Sequence, residues 1–216
     1  MRLVTANLFN DRAQPKAVEE LIEDVRPDVF CAQELGRSAA AVLQAGFPSG
    51  LINPRDDCNG HALVARSEIR VELLDLPARP GLVTVVSSNG VETVIISIHL
   101  SNPVDGRKAL DERRRQVDGV LARIDGIERV VVVGDLNATT WWTSYRRLRA
   151  VLADGVLECW RRSSARTVPT WGPFPGGPAL MRIDHVLTRG VRVDAVSVRR
   201  VAGSDHRALV VDLEPT

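Results

Sequence analysis

The chain has 216 residues, enough for one domain with a buried core, and its 28 basic and 27 acidic residues leave a formal net charge of +1. That balance removes any global electrostatic argument for nucleic acid, and no apolar run approaches the roughly 18–20 residues of a membrane span. With 44% hydrophobic but only 4% aromatic residues, Val, Leu, Ile and Ala must build the core.

Leu3–Asn7 reads as a first strand that ends in a polar residue. Pro15 opens a helix through Glu23, with Val18, Leu21, Ile22 and Val25 as its apolar stripe. Val29–Gln33 is a short apolar strand followed by Glu34, and Ser38–Gln44 is a weaker helix. Ala62–Ala65, Val71–Leu74, Leu82–Val86 and Thr93–Ile98 read as successive strands of an antiparallel meander, with Asn89-Gly90 as a hairpin turn. Asp105–Ile124 is the longest helix, with Leu110, Val117, Val120, Leu121 and Ile124 facing inward. Four consecutive valines, Val130–Val133, form a strand covered on both faces, and Tyr145–Leu152 is a further helix. Val168–Pro178 holds four prolines and three glycines and is an irregular loop. Strands Arg182–Leu187, Val191–Val198 and Ala208–Leu213 close the chain. No repeat or linker interrupts it, so residues 1–216 are expected to form a single domain, an α+β sandwich of two packed sheets with helices outside.

Cys31, Cys58 and Cys159 have no metal-site spacing, and their odd number fits a reducing compartment. The sequence enters its first strand at once, with no signal-peptide pattern, so a cytoplasmic, soluble and monomeric protein is expected.

The chemistry gathers at strand ends. Asp135 and Asn137 follow the valine strand two residues apart, so an extended backbone aims both at one spot. Glu34 leaves the second strand, His99 ends IISIH, Asp184 interrupts RIDHVL, and Asp205-His206 precede the last strand. Oxygen ligands for a hard cation, a base for water and donors for a charged transition state are what metal-assisted hydrolysis needs.

The ordered set TANLFN, QEL, SIHL, GDLNA, RIDHVL and SDH resembles the endonuclease/exonuclease/phosphatase superfamily, with its DNase I-like fold, over Asn7 to His206. The resemblance is closest to small bacterial members. It implies a four-layer αββα sandwich, two mainly antiparallel sheets face to face, with the site at one edge. It further implies that Glu34 is the principal ligand of Mg²⁺ or Mn²⁺, with Asn7 and Asp205 in the metal region. Asp135 would orient or deprotonate the attacking water, and Asn137 would donate to a phosphoryl oxygen. His206 would meet the phosphate, oriented by Asp184, and His99 would supply a proton to the leaving oxygen. Arg113 and Gln116 share a helix face, and Arg113 either contacts substrate or braces the site loops. Trp171 would line the substrate cleft, with Trp141 and Trp142 as a second wall. His61 and His185 are read as packing or supporting residues.

The function these residues imply is a divalent-metal-dependent phosphoesterase that cleaves P–O bonds by in-line attack of water. A nuclease acting on DNA or RNA is the first expectation. Its rivals are a hydrolase of phospholipid, polyprenyl or small-molecule phosphates, and an inactive binding module that retains the fold.

Overall fold

A computed structural model describes residues 1–163 and 168–216. Twelve strands form two sheets of six, ordered β11-β12-β1-β2-β4-β3 and β5-β6-β7-β8-β10-β9. In chain order the elements are β1 (Arg2–Asn10), α1 (Pro15–Val25), β2 (Val29–Leu35), α2 (Arg37–Gly46), β3 (Ser49–Asn53), β4 (His61–Ala65), β5 (Val71–Leu74), β6 (Gly81–Ser88) and β7 (Val91–His99). There follow α3 (Arg107–Arg123), β8 (Val130–Asp135), α4 (Thr143–Arg149), β9 (Ala153–Asp154), α5 (Gly155–Arg162), β10 (Asp184–Arg189), β11 (Val191–Arg200) and β12 (Arg207–Pro215). Each sheet has one parallel pair, β1 with β2 and β7 with β8, and is otherwise antiparallel. No helix among the described residues is long and apolar enough to cross a membrane.

The period-two alternation of the strands divides the core into three layers. Val4, Ala6, Phe30 and Ala32 face α1 and α2. Leu3, Val29, Cys31, Ile95, Val131, Val133, Val186 and Leu209 fill the space between the sheets. Ile96, Ile98, Val130 and Val132 face α3 and α4. The result is the expected αββα sandwich.

Four details differ from the sequence reading. Ala62–Ala65 is β4 of the first sheet, paired with β2, so the meander begins at β5. The edge strand β3 and the pair β9–α5 escape a periodicity search because they are short. Leu110 is exposed, since the inward arc of α3 is taken by Ala109, Arg113, Gln116, Val117 and Val120. The Pro/Gly loop is irregular but tied down, with Trp171 bridging to both Met181 and His206.

Candidate active site

The site is the polar end of the layer between the sheets. Leu3, Thr5 and Asn7 share one face of β1; Cys31 and Gln33 share one face of β2; Ile95, Ser97 and His99 share one face of β7. Val131, Val133 and Asp135 do the same on β8, opposite Asp184 of β10. Apolar residues at the near end of each strand bury the layer, and the same parity then delivers Asn, Gln, His and Asp to its rim. Thr5 donates to Gln33 at 3.2 Å and Gln33 donates to Ser97 at 3.3 Å, so a buried polar chain joins the two sheets beneath the site.

Backbone departures aim the remaining groups. Glu34 has φ +48°, opposite a register shift in β1 between Asn7 and Asn10, and this turns its carboxylate off the strand parity toward Asn7. Asn137 has φ +46°. Left-handed backbone at non-glycine residues costs energy and concentrates at functional sites. Gly134 is required, because a Cβ there would lie 2.0 Å from the Ile98 carbonyl oxygen, where β8 meets β7.

Asn7 stands between two carboxylates. Its amide nitrogen donates to Glu34 Oε1 and to Asp135 Oδ2, each at 3.1 Å, while its oxygen accepts from the Phe9 amide at 3.0 Å. Asn7 thus orients both carboxylates, and its oxygen keeps a second lone pair within the same cluster. Asp135 also accepts from the Asn137 amide at 2.7 Å. Burial, reinforced by Asp184, pushes the Asp135 carboxyl up to about 7, against the pull of the His206 imidazolium. Burial likewise raises Glu34, against its hydrogen bond from Asn7.

His206 Nδ1 lies 2.9 Å from Asp184 Oδ2, and its Nε2 lies 3.8 Å from Asp135 Oδ2. Burial alone would lower this histidine, but Asp184, Asp135 and Asp205 overcome it and raise the ring to about 10. His206 is therefore an imidazolium at neutral pH. Ser204 fixes its backbone, donating to the Asn7 carbonyl at 2.8 Å and accepting from the His206 amide at 3.0 Å. Ligand atoms of Asp135, Asp184 and His206 all lie within 4.8 Å of one another, close enough to hold a metal.

His99 lies in the cluster, its Nε2 3.5 Å from Asp135 Oδ2 and 3.8 Å from Glu34 Oε1. Burial, the Arg79 guanidinium and the charge on His206 hold it well below the ordinary histidine range. The neutral ring has Arg79 Nη1 and Asn137 Nδ2 against Nε2, the latter at 3.2 Å. With Nε2 accepting from these two donors, the neutral ring carries its single proton on Nδ1. Asn137 donates also to the Leu100 carbonyl at 3.0 Å, so it must release a bond before it can serve a phosphoryl oxygen.

Arg113 is a brace rather than a cleft residue. It is buried, donating to the Ser101 carbonyl at 2.8 Å, the Leu136 carbonyl at 2.7 Å and Ser144 Oγ at 2.6 Å. Gln116 extends the brace, accepting from the Ser101 amide at 2.9 Å and donating to the Pro77 carbonyl at 2.8 Å. His185 sits beside Asp184 in a buried network, its Nε2 2.7 Å from the Ala138 carbonyl oxygen. His61 is buried in β4, with Nε2 3.5 Å from Asn53. Trp171 lines the cleft, and its indole donates to Asp205 Oδ2 at 3.0 Å.

Arg79, which no sequence pattern marked, lines the same cleft of about 480 Å³ beside Glu34, Asp135, Asp205 and His206. It lies in a loop between prolines, where an arginine carries no periodic signal. Its guanidinium also donates to Cys58 Sγ at 3.0 Å.

This fold and this edge-on cluster define a class, the DNase I-like α+β sandwich. The chain belongs to the Endonuclease/Exonuclease/phosphatase family, whose family model matches residues 4–206. Among solved structures it is similar to the endonuclease/exonuclease/phosphatase of Beutenbergia cavernae DSM 12333, at 22% identity over 100% of this chain and 71% of that one (TM-score 0.75). It is also similar to a 3′ phosphatase from Neisseria bound to a product DNA hairpin, at 19% identity over 99% of each chain (TM-score 0.77). A third is the mannosyl-6-phosphatase of Bacteroides thetaiotaomicron VPI-5482, at 18% identity over 99% of each chain (TM-score 0.71). At these identities the likeness is one of fold. No curated protein matches the sequence.

Proposed function

We propose that the protein is a Mg²⁺- or Mn²⁺-dependent phosphoesterase that cleaves a P–O bond by in-line attack of water. The observation that carries this reading is the convergence of one buried cluster at the rim of both sheets: Asp135 lies 3.8 Å from His206 Nε2, His206 Nδ1 lies 2.9 Å from Asp184, and the Asn7 amide spans Asp135 and Glu34 at 3.1 Å each. Burial raises the Asp135 carboxyl and the surrounding carboxylates raise the His206 ring, so the cluster holds a base beside a cation, as water activation beside a phosphate requires.

The residues fit a hard cation. Glu34 is a largely buried carboxylate whose hydrogen-bond donor is the Asn7 amide, and Asp205 Oδ1 is buried with no donor among the described residues. Buried anionic oxygens left short of donors favour a cation, and an all-oxygen set suits Mg²⁺ or Mn²⁺. Glu34 and Asp205 would hold it, with Asn7 keeping Glu34 aimed. His206, hydrogen-bonded to Asp184 at 2.9 Å, is assigned to the phosphate instead of the ion. The ion, when bound, would neutralise phosphoryl oxygens and acidify water.

Asp135 takes the proton of the attacking water, positioned by the amides of Asn7 and Asn137. His206, held charged by Asp184, stabilises negative charge building on the phosphoryl oxygens. His99 keeps Arg79 and Asn137 directed at the cleft. Trp171 fixes Asp205 and walls the phosphate site.

The expectation of DNA or RNA as substrate has support from the Neisseria relative with its DNA hairpin. The cleft argues the other way. Its walls carry Glu34, Asp105, Asp135 and Asp205 against Arg79 and His206. That balance suits one phosphate and a metal ion better than a polyanion. The reading supported best is a single accessible phosphate ester on an apolar or aromatic body.

A panel of bis(p-nitrophenyl) phosphate, DNA and RNA ends, sugar phosphates and dispersed lipid phosphates, with Mg²⁺ or Mn²⁺ and with EDTA, tests this. Hydrolysis should require the ion and be lost in Glu34→Gln. Full activity in EDTA would sink the metal reading. A folded, metal-binding protein that turns over nothing would identify a binding module.

A further inference from the structure

Among the described residues ten large hydrophobic side chains are exposed, and six come from the three loops that contribute residues to the cleft: Val104, Trp141, Trp142, Phe174, Leu180 and Met181. The exposure is substantial, 86% for Trp141, 78% for Val104 and 71% for Phe174. Single exposed apolar residues need no explanation, but a concentration around a functional cleft does. Val104, Trp142 and Met181 also line the cleft, together with Asp135 and His206.

The composition of this collar selects its occupant. A platform for single-stranded nucleic acid sets aromatic faces among exposed cations along the strand's path. Half of this collar is aliphatic: Val104, Leu180 and Met181 have no face on which a base can stack. The cations stand outside the collar. Arg107 and Lys108 follow Val104 and open α3, while Arg146 follows Trp142 in α4, and all three are exposed. Asp105 is also exposed there and Lys108 lies 3.8 Å from Glu112, but three basic side chains follow two of the apolar segments in the chain, and apolar and tryptophan side chains with basic neighbours suit the boundary between acyl chains and anionic headgroups.

We propose that the collar docks the protein on an anionic phospholipid surface, so that the cleft opens onto a headgroup phosphate. This rests on the phosphoesterase reading for the identity of the cleft, while the docking itself needs no turnover. Trp141 and Phe174 insert in the boundary region, Arg107, Lys108 and Arg146 meet the anionic headgroups, and Val104 and Met181 guide the ester toward Asp135.

The experiment uses the whole protein with phosphatidylcholine vesicles, with and without phosphatidylglycerol, and reads co-sedimentation and tryptophan emission. The protein should sediment with the anionic vesicles, and its emission should move to shorter wavelength as Trp141 leaves water. The variant Trp141→Ala/Phe174→Ala should partition about tenfold or more weakly, because both side chains lose their buried area. It should hydrolyse bis(p-nitrophenyl) phosphate like the wild type, because Trp142 lines the cleft while Trp141, expected beside it, and Phe174 do not. Glu34→Gln should bind vesicles normally, which separates failure of docking from failure of the phosphoesterase reading. Absence of vesicle binding overturns the proposal, as does undiminished binding by the double variant. An emission shift with oligo(dT) and none with vesicles would assign the collar to single-stranded nucleic acid. Self-association through the collar, seen as a dimer that the double variant abolishes, would assign it to a second copy of the chain.

Discussion

The substitution Asp184→Asn removes a charge and keeps the shape, and its cost should depend on pH. Wild-type His206 is raised from 6.5 to about 10 despite its burial. At ~1.4 kcal/mol for each pH unit, the ring's preference for its charged form amounts to roughly 5 kcal/mol, shared among Asp184, Asp135 and Asp205. Asp184 lies 2.9 Å from Nδ1, and a hydrogen bond between charged groups is worth ~2–3 kcal/mol. The variant should therefore lose ~2–3 kcal/mol, with the His206 ionisation falling by roughly two pH units. The sign follows from linkage. A histidine raised by folding contributes stability that is fully present below its unfolded value of about 6.5 and is lost as pH rises through about 10. Urea unfolding should thus show a large gap between wild type and variant at pH 6 that has mostly closed above pH 10. The alkaline limb of the activity profile should also move to lower pH. A gap of equal size at both ends of the range would mean that Asp184 acts as a buried structural acceptor, and the reasoning fails.

The double variant Asp184→Asn/His206→Ala should be little slower than His206→Ala, since members of one unit are not additive; losses that multiply would separate the pair. Glu34→Gln should weaken Mn²⁺ binding by about tenfold or more in calorimetry while thermal unfolding stays near wild type; unchanged affinity would remove Glu34 from the metal. Asp135→Asn should lower kcat with little change in KM, and a change confined to KM would make Asp135 a binding residue. Arg113→Ala should cost ~2–4 kcal/mol of stability, because the Ser101 and Leu136 carbonyls and Ser144 lose a charged donor; a fully stable variant with raised KM would instead return Arg113 to the substrate.

The residue order alone placed most of this molecule. Alternation in VVVVGD, IISIH and RIDHVL told which strand ends carry chemistry, because a period of two carries a buried apolar face directly into a polar rim. The amphipathic stripes of α1 and α3 were legible for the same reason, with a period of 3.6. Tertiary structure decided what those side chains do. Glu34 lies off the parity of its strand, and only a left-handed backbone opposite the irregularity in β1 brings it to Asn7. His99 was legible as a site residue, but its neutrality depends on burial and then on Arg79 and His206, distant in sequence and adjacent in space. Arg113 and Gln116 showed a shared face, yet whether that face meets substrate or carbonyls was set by the loops at Ser101, Leu136 and Pro77. Sequence periodicity fixes which way a side chain points from its own element. Charge state and partners come from packing between elements, where burial and Coulomb forces act over contacts that no local pattern encodes.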